Sequence, residues 1–202
     1  MFDRYDGAGG YAADLIIKSL KEIGAKPSSI LEVGCGGGHL LSLLRQEFDS
    51  VCFGLDPSAK AIQHGRENYP DIDLQPGTAE SLAHPDGSFD LVIFGFCLYV
   101  CDPCDHFRIA WQADRVLRDQ GFLVVSDFCT PFPYRNDYAH FSGMFSYKMD
   151  WSRMFTWNPA YRLISRRHIE FVMPRSFSRD DQICIDVLRK DRAGAFPTNP
   201  YH

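Results

Sequence analysis

The stretch Ile30-Leu31-Glu32-Val33-Gly34-Cys35-Gly36-Gly37-Gly38-His39 decides the fold of this 202-residue chain. Ser29 to Val33 is a short apolar strand, and it runs straight into glycines. His39 to Phe48 then reads as a helix, with Leu40, Leu43, Leu44 and Phe48 turned inward. Glycines at such a junction let the backbone turn tightly and let a ligand approach the main chain. The free amides at the helix start favour a carboxylate or phosphate. A dinucleotide site needs G-x-G-x-x-G. Counted from Gly34 the third glycine is replaced by His39, and counted from Gly36 it is replaced by Leu41. The spacing present is E-x-G-x-G-x-G, from Glu32 through Gly38.

Outward from this loop, strand and helix alternate. Tyr11 to Ile23 is an amphipathic helix ended by Gly24 and Pro27. Val51 to Leu55 is a second strand closed by Asp56-Pro57, Ser58 to Tyr69 a helix, and Ile72 to Gln75 a brief strand. Phe89 to Phe94 and Gly121 to Asp127 are apolar on both faces, as buried parallel strands are, with a helix over Asp105 to Arg118 between them. This order predicts a doubly wound α/β sheet with helices on both faces. Leu163 to Val172 and Gln182 to Leu188 read as two closing strands joined through Pro174 to Ser178. A single domain over 1–202 results. Its parts are an N-terminal arm and helix (1–27), a binding half (28–128), an insertion (129–160) and the closing strands (161–190).

The E-x-G-x-G-x-G loop resembles motif I of the class I S-adenosylmethionine-dependent methyltransferases, in particular the small-molecule, type 11-like branch. Asp56 agrees, because a carboxylate ending the second strand can accept both hydroxyls of a ribose. Gly77-Thr78-Ala79-Glu80-Ser81-Leu82 and Pro85 to Val92 are similar to the family's stretch around strands three and four. Val116 to Ser126 is similar to its entry into strand five. The resemblance implies a Rossmann-like, mostly parallel seven-stranded sheet and S-adenosyl-L-methionine as cofactor, released as S-adenosyl-L-homocysteine. It implies cofactor contacts from Glu32, Gly34, Cys35, Gly36, Gly38, Asp56 and Pro57, and from Thr78, Ala79, Glu80 and Phe96. An aromatic of the N-terminal arm, Tyr5 or Tyr11, would close over the methionine end. Family members often carry Asp where this chain has Thr78, which leaves the adenine contact to the Ala79 backbone or to Glu80.

Cys97, Cys101 and Cys104 are spaced C-x3-C-x2-C, the signature of iron–sulfur enzymes that also use S-adenosylmethionine. Those enzymes use a partial barrel and place the motif after an early strand, whereas here it follows the fourth. Cys97 and Cys101 one helical turn apart also suit small buried groups. No fourth ligand sits at zinc-finger spacing, and no metal is expected.

The acceptor side is sought above the carboxyl ends of the strands. After strand four come Phe96 and Tyr99. The insertion is expected to be helical in part, with His140, Met144, Tyr147 and Trp151 in one stripe and Tyr138, Phe141, Phe145 and Met149 in the next. Such a helix would form a lid or a homodimer interface. Tyr99, Tyr134, Arg135, Tyr138, His140, Tyr147, Lys148 and Trp151 are the expected acceptor-binding residues. Arg135, Lys148 and Arg153 bring positive charge and suit an acidic or sugar-type metabolite. His140 and Asp127 are the candidate general bases, with Tyr99 beside the reacting atoms.

The expected reaction is methyl transfer to a small-molecule acceptor, with oxygen preferred. A protein or RNA methyltransferase and a non-catalytic cofactor-binding protein are the alternatives. The net charge of −5 argues against a nucleic-acid partner. The longest apolar run, Leu91 to Cys101, is shorter than a membrane span. Seven cysteines in mostly apolar context, with acids and glycines at the N-terminus, suit a cytoplasmic protein with reduced thiols.

Overall fold

The computed structural model of the protein describes residues 6–138, 140–169, 182–199 and 201, with the side chains of 6–10 outside the description. A seven-stranded sheet forms its centre, in the order β3-β2-β1-β4-β5-β9-β8. The strands are β1 (Ser29–Val33), β2 (Val51–Asp56), β3 (Asp73–Pro76), β4 (Phe89–Gly95), β5 (Leu117–Phe128), β8 (Tyr161–Ile169) and β9 (Ile183–Lys190). The first five pair in parallel, and β9 runs antiparallel to both β5 and β8. Residues 170–172 of the expected closing strand and the Pro174–Ser178 connection lie outside the described residues.

The helices are α1 (Asp6–Glu22), α2 (His39–Phe48), α3 (Ala59–Asn68), α4 (His106–Val116) and the short α5 (Arg153–Thr156). Each covers the sheet with its apolar stripe. Ile16 and Leu20 of α1, Leu41 and Leu44 of α2 and Ile62 of α3 fill one face. Ile109, Ala110, Ala113 and Val116 of α4 fill the other, with Phe155 of α5 and Trp151. Strands β1 and β4 are buried almost throughout, which is why they carry no polar alternation. The chain winds one way from β1 to β3 and the other way from β4 to β5. The switch between β1 and β4 opens a crevice at their carboxyl ends, where an open α/β sheet takes its ligand.

The insertion departs from its expected form. Residues 134–148 are a β-hairpin, β6 (Tyr134–Asp137) paired antiparallel with β7 (Phe145–Lys148), and not a helix. The stripes built on His140, Met144, Tyr147 and Trp151 therefore do not exist. The burial of β7 has period two, with Ser146 and Lys148 facing inward and Phe145 and Tyr147 half-buried. Gly143 at φ 83° turns the loop between the strands, where a helix would need right-handed dihedrals. An apolar/polar pattern turned inside out is invisible to helical counting. Among the described residues of the insertion, helix occurs only at Arg153–Thr156.

Candidate functional site

The glycine loop lies at the crevice. Gly34, Gly36 and Gly38 all have positive φ, at 79°, 54° and 82°. At Gly34 the reason is packing: a Cβ there would overlap Cys97, so the loops after β1 and β4 meet without a side chain between them. At Gly36 a Cβ would meet nothing within 4 Å, so that main chain faces open space. Gly34 and Cys35 donate their amides to the Leu55 carbonyl at 2.7 and 3.1 Å. The Gly36 amide donates to Asp56 Oδ2 at 2.9 Å, and the Ser58 amide to Oδ1 at 2.8 Å. Asp56 thus fixes the loop and opens the next helix, and each oxygen keeps a further lone pair. Pro57 follows it in the turn to α3.

Glu32 stands beneath the loop, 4% exposed, with no hydrogen-bond partner for Oε2. Burial, and then the nearby Asp56 carboxylate, push its carboxyl up to about 8. A Cβ at Gly95 would come within 2.7 Å of Glu32 Oε1, so glycine at that point of β4 leaves room for the carboxyl. A buried acceptor lacking a partner is costly, and a donor from a bound molecule would satisfy it. Glu32, Gly34, Cys35, Gly36, Gly38 and Asp56 are therefore brought together. The third strand joins them where the Gly77 amide donates to the Asp56 carbonyl at 3.1 Å. Just beyond, Thr78 is exposed and Glu80 half-buried, while the Ala79 side chain belongs to the core. Tyr11 is half-exposed on α1, and Tyr5 lies outside the described residues.

The second wall follows β4. Phe96 holds a left-handed φ of 56°, sparse for a residue with a large side chain. Its ring lies 4.9 Å from Tyr99 and 5.1 Å from Phe128, and Tyr99 lies 6.1 Å from Tyr138. Asp127 holds this wall in place. Its Oδ2 accepts from the amides of Leu98 at 2.9 Å and Tyr99 at 3.3 Å, and its Oδ1 from the Phe128 amide at 2.7 Å. Burial raises the carboxyl to about 7 against the lowering effect of those amides. Phe128 was not foreseen from sequence. Its position as the last residue of β5 was the available signal.

The remaining expected acceptor residues divide. Lys148 is buried, its Nζ 4.2 Å from the Phe128 ring centroid. Tyr138 stacks edge-on with His140 at 5.2 Å, and His140 is exposed. Arg135 is exposed with its guanidinium 4.2 Å over Phe145, and Arg153 pairs with Asp150 at 3.7 Å. Tyr134 and Tyr147 sit half-buried on the hairpin. Trp151 is 1% exposed in the core, edge-on to His106 at 5.1 Å. The cysteine triplet is dispersed in role. Cys97 donates its thiol to the Val33 carbonyl, Cys101 to the Cys97 carbonyl, and Cys104 is exposed. Among the described residues no three His, Cys, Asp or Glu side chains are grouped to hold a metal ion. Among them, too, no helix is long and apolar enough to cross a membrane.

Comparison with known proteins agrees with this geometry. A family model described as a methyltransferase domain matches residues 30–121. An uncharacterised methyltransferase of Synechocystis is 32% identical over 124 residues, covering 60% of this chain and 58% of that protein. The malonyl-[acyl-carrier protein] O-methyltransferase of Methylococcus capsulatus is 30% identical over 131 residues, covering 61% and 47%. The chain thus spans about half the length of these curated relatives. The crystal structure of the Burkholderia thailandensis 1,6-didemethyltoxoflavin-N1-methyltransferase, with S-adenosylhomocysteine bound, superimposes with a TM-score of 0.69 at 15% identity, covering 92% of this chain and 80% of that one. Motif I, the acid ending β2 and the sheet order are all in place, and over residues 30–121 the chain is similar to the methyltransferase domain, as the resemblance to the class I S-adenosylmethionine-dependent methyltransferases implies.

Proposed function

We propose that the protein transfers the methyl group of S-adenosylmethionine to a small-molecule acceptor, with oxygen as the accepting atom. The observation that carries this reading is the pairing of the open Gly36 main chain with Asp56 and the partnerless Glu32 Oε2 in one crevice. The cofactor supplies an activated methyl on a sulfonium centre. The chain itself then has to bind, orient and exclude water. Asp56 would take the ribose hydroxyls with its free lone pairs, and Glu32 would accept from the amino-acid end. Phe96, Tyr99 and Phe128 would wall the transfer path against water. Lys148 places positive charge at that wall and favours an anionic acceptor. His140, beside Tyr138, is the proposed base on the hairpin side. Asp127 is occupied by three amides, which suits a positioning residue better than a base.

Calorimetry with S-adenosylhomocysteine tests the binding half. Wild type should bind, and Asp56→Ala should weaken binding at least about tenfold, since the ribose hydroxyls lose a charged partner. Unchanged affinity in Asp56→Ala would overturn the site. Turnover on a panel of carboxylate, phosphate and sugar hydroxyl acceptors tests the rest. Tight cofactor binding with transfer only to a protein or RNA would replace the small-molecule reading. Binding with no transfer to any acceptor would favour a cofactor-binding protein.

A further inference from the structure

Both ends of the hairpin insertion are fastened to one spot on the closing strands, and that spot contains a thiol pair. The registers place it. Asp127 on β5 faces Cys184 on β9, and the Cys129 amide donates to the Gln182 carbonyl at 2.8 Å. Residues two apart along a strand share a face, so Cys129 and Cys184 are diagonal neighbours on the face that carries Asp127. The two thiols are near enough for each to shift the other's titration. On β8, His168 faces Cys184 with Nδ1 at 3.3 Å from Sγ, and Arg166 faces Asp186. Arg166 bonds Asp186 at 2.7 Å on one side and Asp150 at 2.7 Å on the other. Cys129 opens the connection to the hairpin and Asp150 follows its second strand. The cluster adjoins Asp127, whose carboxylate holds the loop after β4.

A comparison within the molecule isolates what is special about Cys129. Cys35 and Cys129 are equally buried, each 7% exposed. Burial and the Glu32 and Asp56 carboxylates push the Cys35 thiol up. The Cys129 thiol is instead held below the usual range, first by the neighbouring Cys184 thiol and then by the Arg166 charge, against its burial. The Cys129 neighbour, and then burial, push Cys184 up, so Cys184 keeps the proton. A thiolate-prone sulfur beside a protonated one is the arrangement of an attacking and a resolving cysteine.

We propose that Cys129 and Cys184 are a reversible oxidation site that closes to a disulfide on exposure to a hydroperoxide. The Cys129 thiolate attacks the terminal peroxide oxygen. An S–O bond forms, the O–O bond breaks, and the departing alkoxide or hydroxide takes a proton from water. Cys184 then attacks the sulfenic sulfur. The S–S bond forms and the S–O bond breaks, and the hydroxyl leaves as water with the Cys184 proton, relayed by His168 Nδ1. Two thiols and one hydroperoxide give one disulfide, one water and one alcohol or second water. The bond would tie the start of the hairpin to β9 and draw the two strand ends together, since a disulfide needs its Cβ atoms closer than a diagonal pair holds them.

Peptide mapping of the intact protein after graded hydrogen peroxide tests this. The expected product is a Cys129–Cys184 cross-linked peptide, with two hydrogens lost per chain and recovery on thiol reduction. It should form before Cys35 or Cys52 is modified. In Cys184→Ser the reaction should stop at sulfenic acid on Cys129, trapped by a dimedone reagent. In unoxidised wild type, iodoacetamide should label Cys129 at least about tenfold faster than the equally buried Cys35. The proposal is overturned if Cys129 stays reduced while exposed Cys104 is oxidised. It is equally overturned if Cys129 pairs with another cysteine, or if Cys129 and Cys35 label at one rate. The mapping and labelling need no variant, so a misfolded Cys184→Ser leaves both decisive.

Discussion

The loop after β1 and the hairpin after β5 are built on opposite principles. The loop presents main chain. Its shape depends on side chains being absent at Gly34 and Gly36, with one carboxylate, Asp56, holding the turn. The hairpin presents side chains, and the inward residues of its second strand are a serine and a lysine rather than apolar groups. A surface made of backbone is specified locally, so it reads directly from a glycine pattern. A surface made of side chains is specified by what lies opposite. Lys148 is meaningful only because Phe128, at the end of β5, supplies the ring beneath it.

Substitution sharpens the contrast, and the largest effect belongs to the loop. Gly34→Val requires a left-handed dihedral from a β-branched residue and a Cβ that overlaps Cys97. We expect a loss of about 3–5 kcal/mol, or no soluble protein, in urea unfolding. Gly36→Ala carries the dihedral strain without the overlap and should cost about 1–2 kcal/mol. Equal losses at the two positions would show that the loop is not divided between packing and ligand approach.

Glu32→Gln comes next and changes sign with the measurement. In the folded protein the Glu32 carboxyl titrates near 8, against 4.5 when unperturbed. Between those values the folded state keeps a proton that the unfolded state has lost, so stability falls as pH rises through that window. The glutamine variant should flatten the fall and exceed wild type by roughly 2–4 kcal/mol at pH 8 in denaturant titrations. The same variant should bind S-adenosylhomocysteine more weakly. A variant with wild-type pH dependence would remove Glu32 from the site's electrostatics.

On the hairpin, Lys148→Met should raise the acceptor KM about tenfold and leave S-adenosylhomocysteine affinity within about twofold, a difference of about 1.4 kcal/mol confined to one ligand. A shift in cofactor affinity instead would move Lys148 to the other wall. His140→Ala is the smallest in stability. As an exposed loop residue it should alter unfolding free energy by no more than about 0.5 kcal/mol. Its effect should appear in kcat with a change in the pH profile, and an unchanged profile would release it from the role of base.

The sequence alone determined the sheet, the glycine cradle and its acid. Strands β1, β2 and β4 and the later part of β5 are mostly apolar, and α2 begins at His39 where the glycines end, so local pattern and final structure agree there; β5 itself starts earlier than expected, at Leu117, through the polar residues Arg118 to Gln120. It also placed Glu32 and Asp56, because strand ends are punctuated by the turns that follow them. Tertiary structure decided everything that depends on a partner across the fold. The aromatic insertion became a hairpin whose second strand turns Ser146 and Lys148 inward. Asp127 became the anchor of the Leu98 and Tyr99 amides because β5 lies beside the loop after β4. Trp151 went to the core beside His106 and not to the acceptor wall. The Cys129–Cys184 pair arises from antiparallel register, which no spacing along the chain encodes. Periodicity reports what a residue's own segment does; the charge, ring or thiol that meets it is set by which strands the sheet brings together.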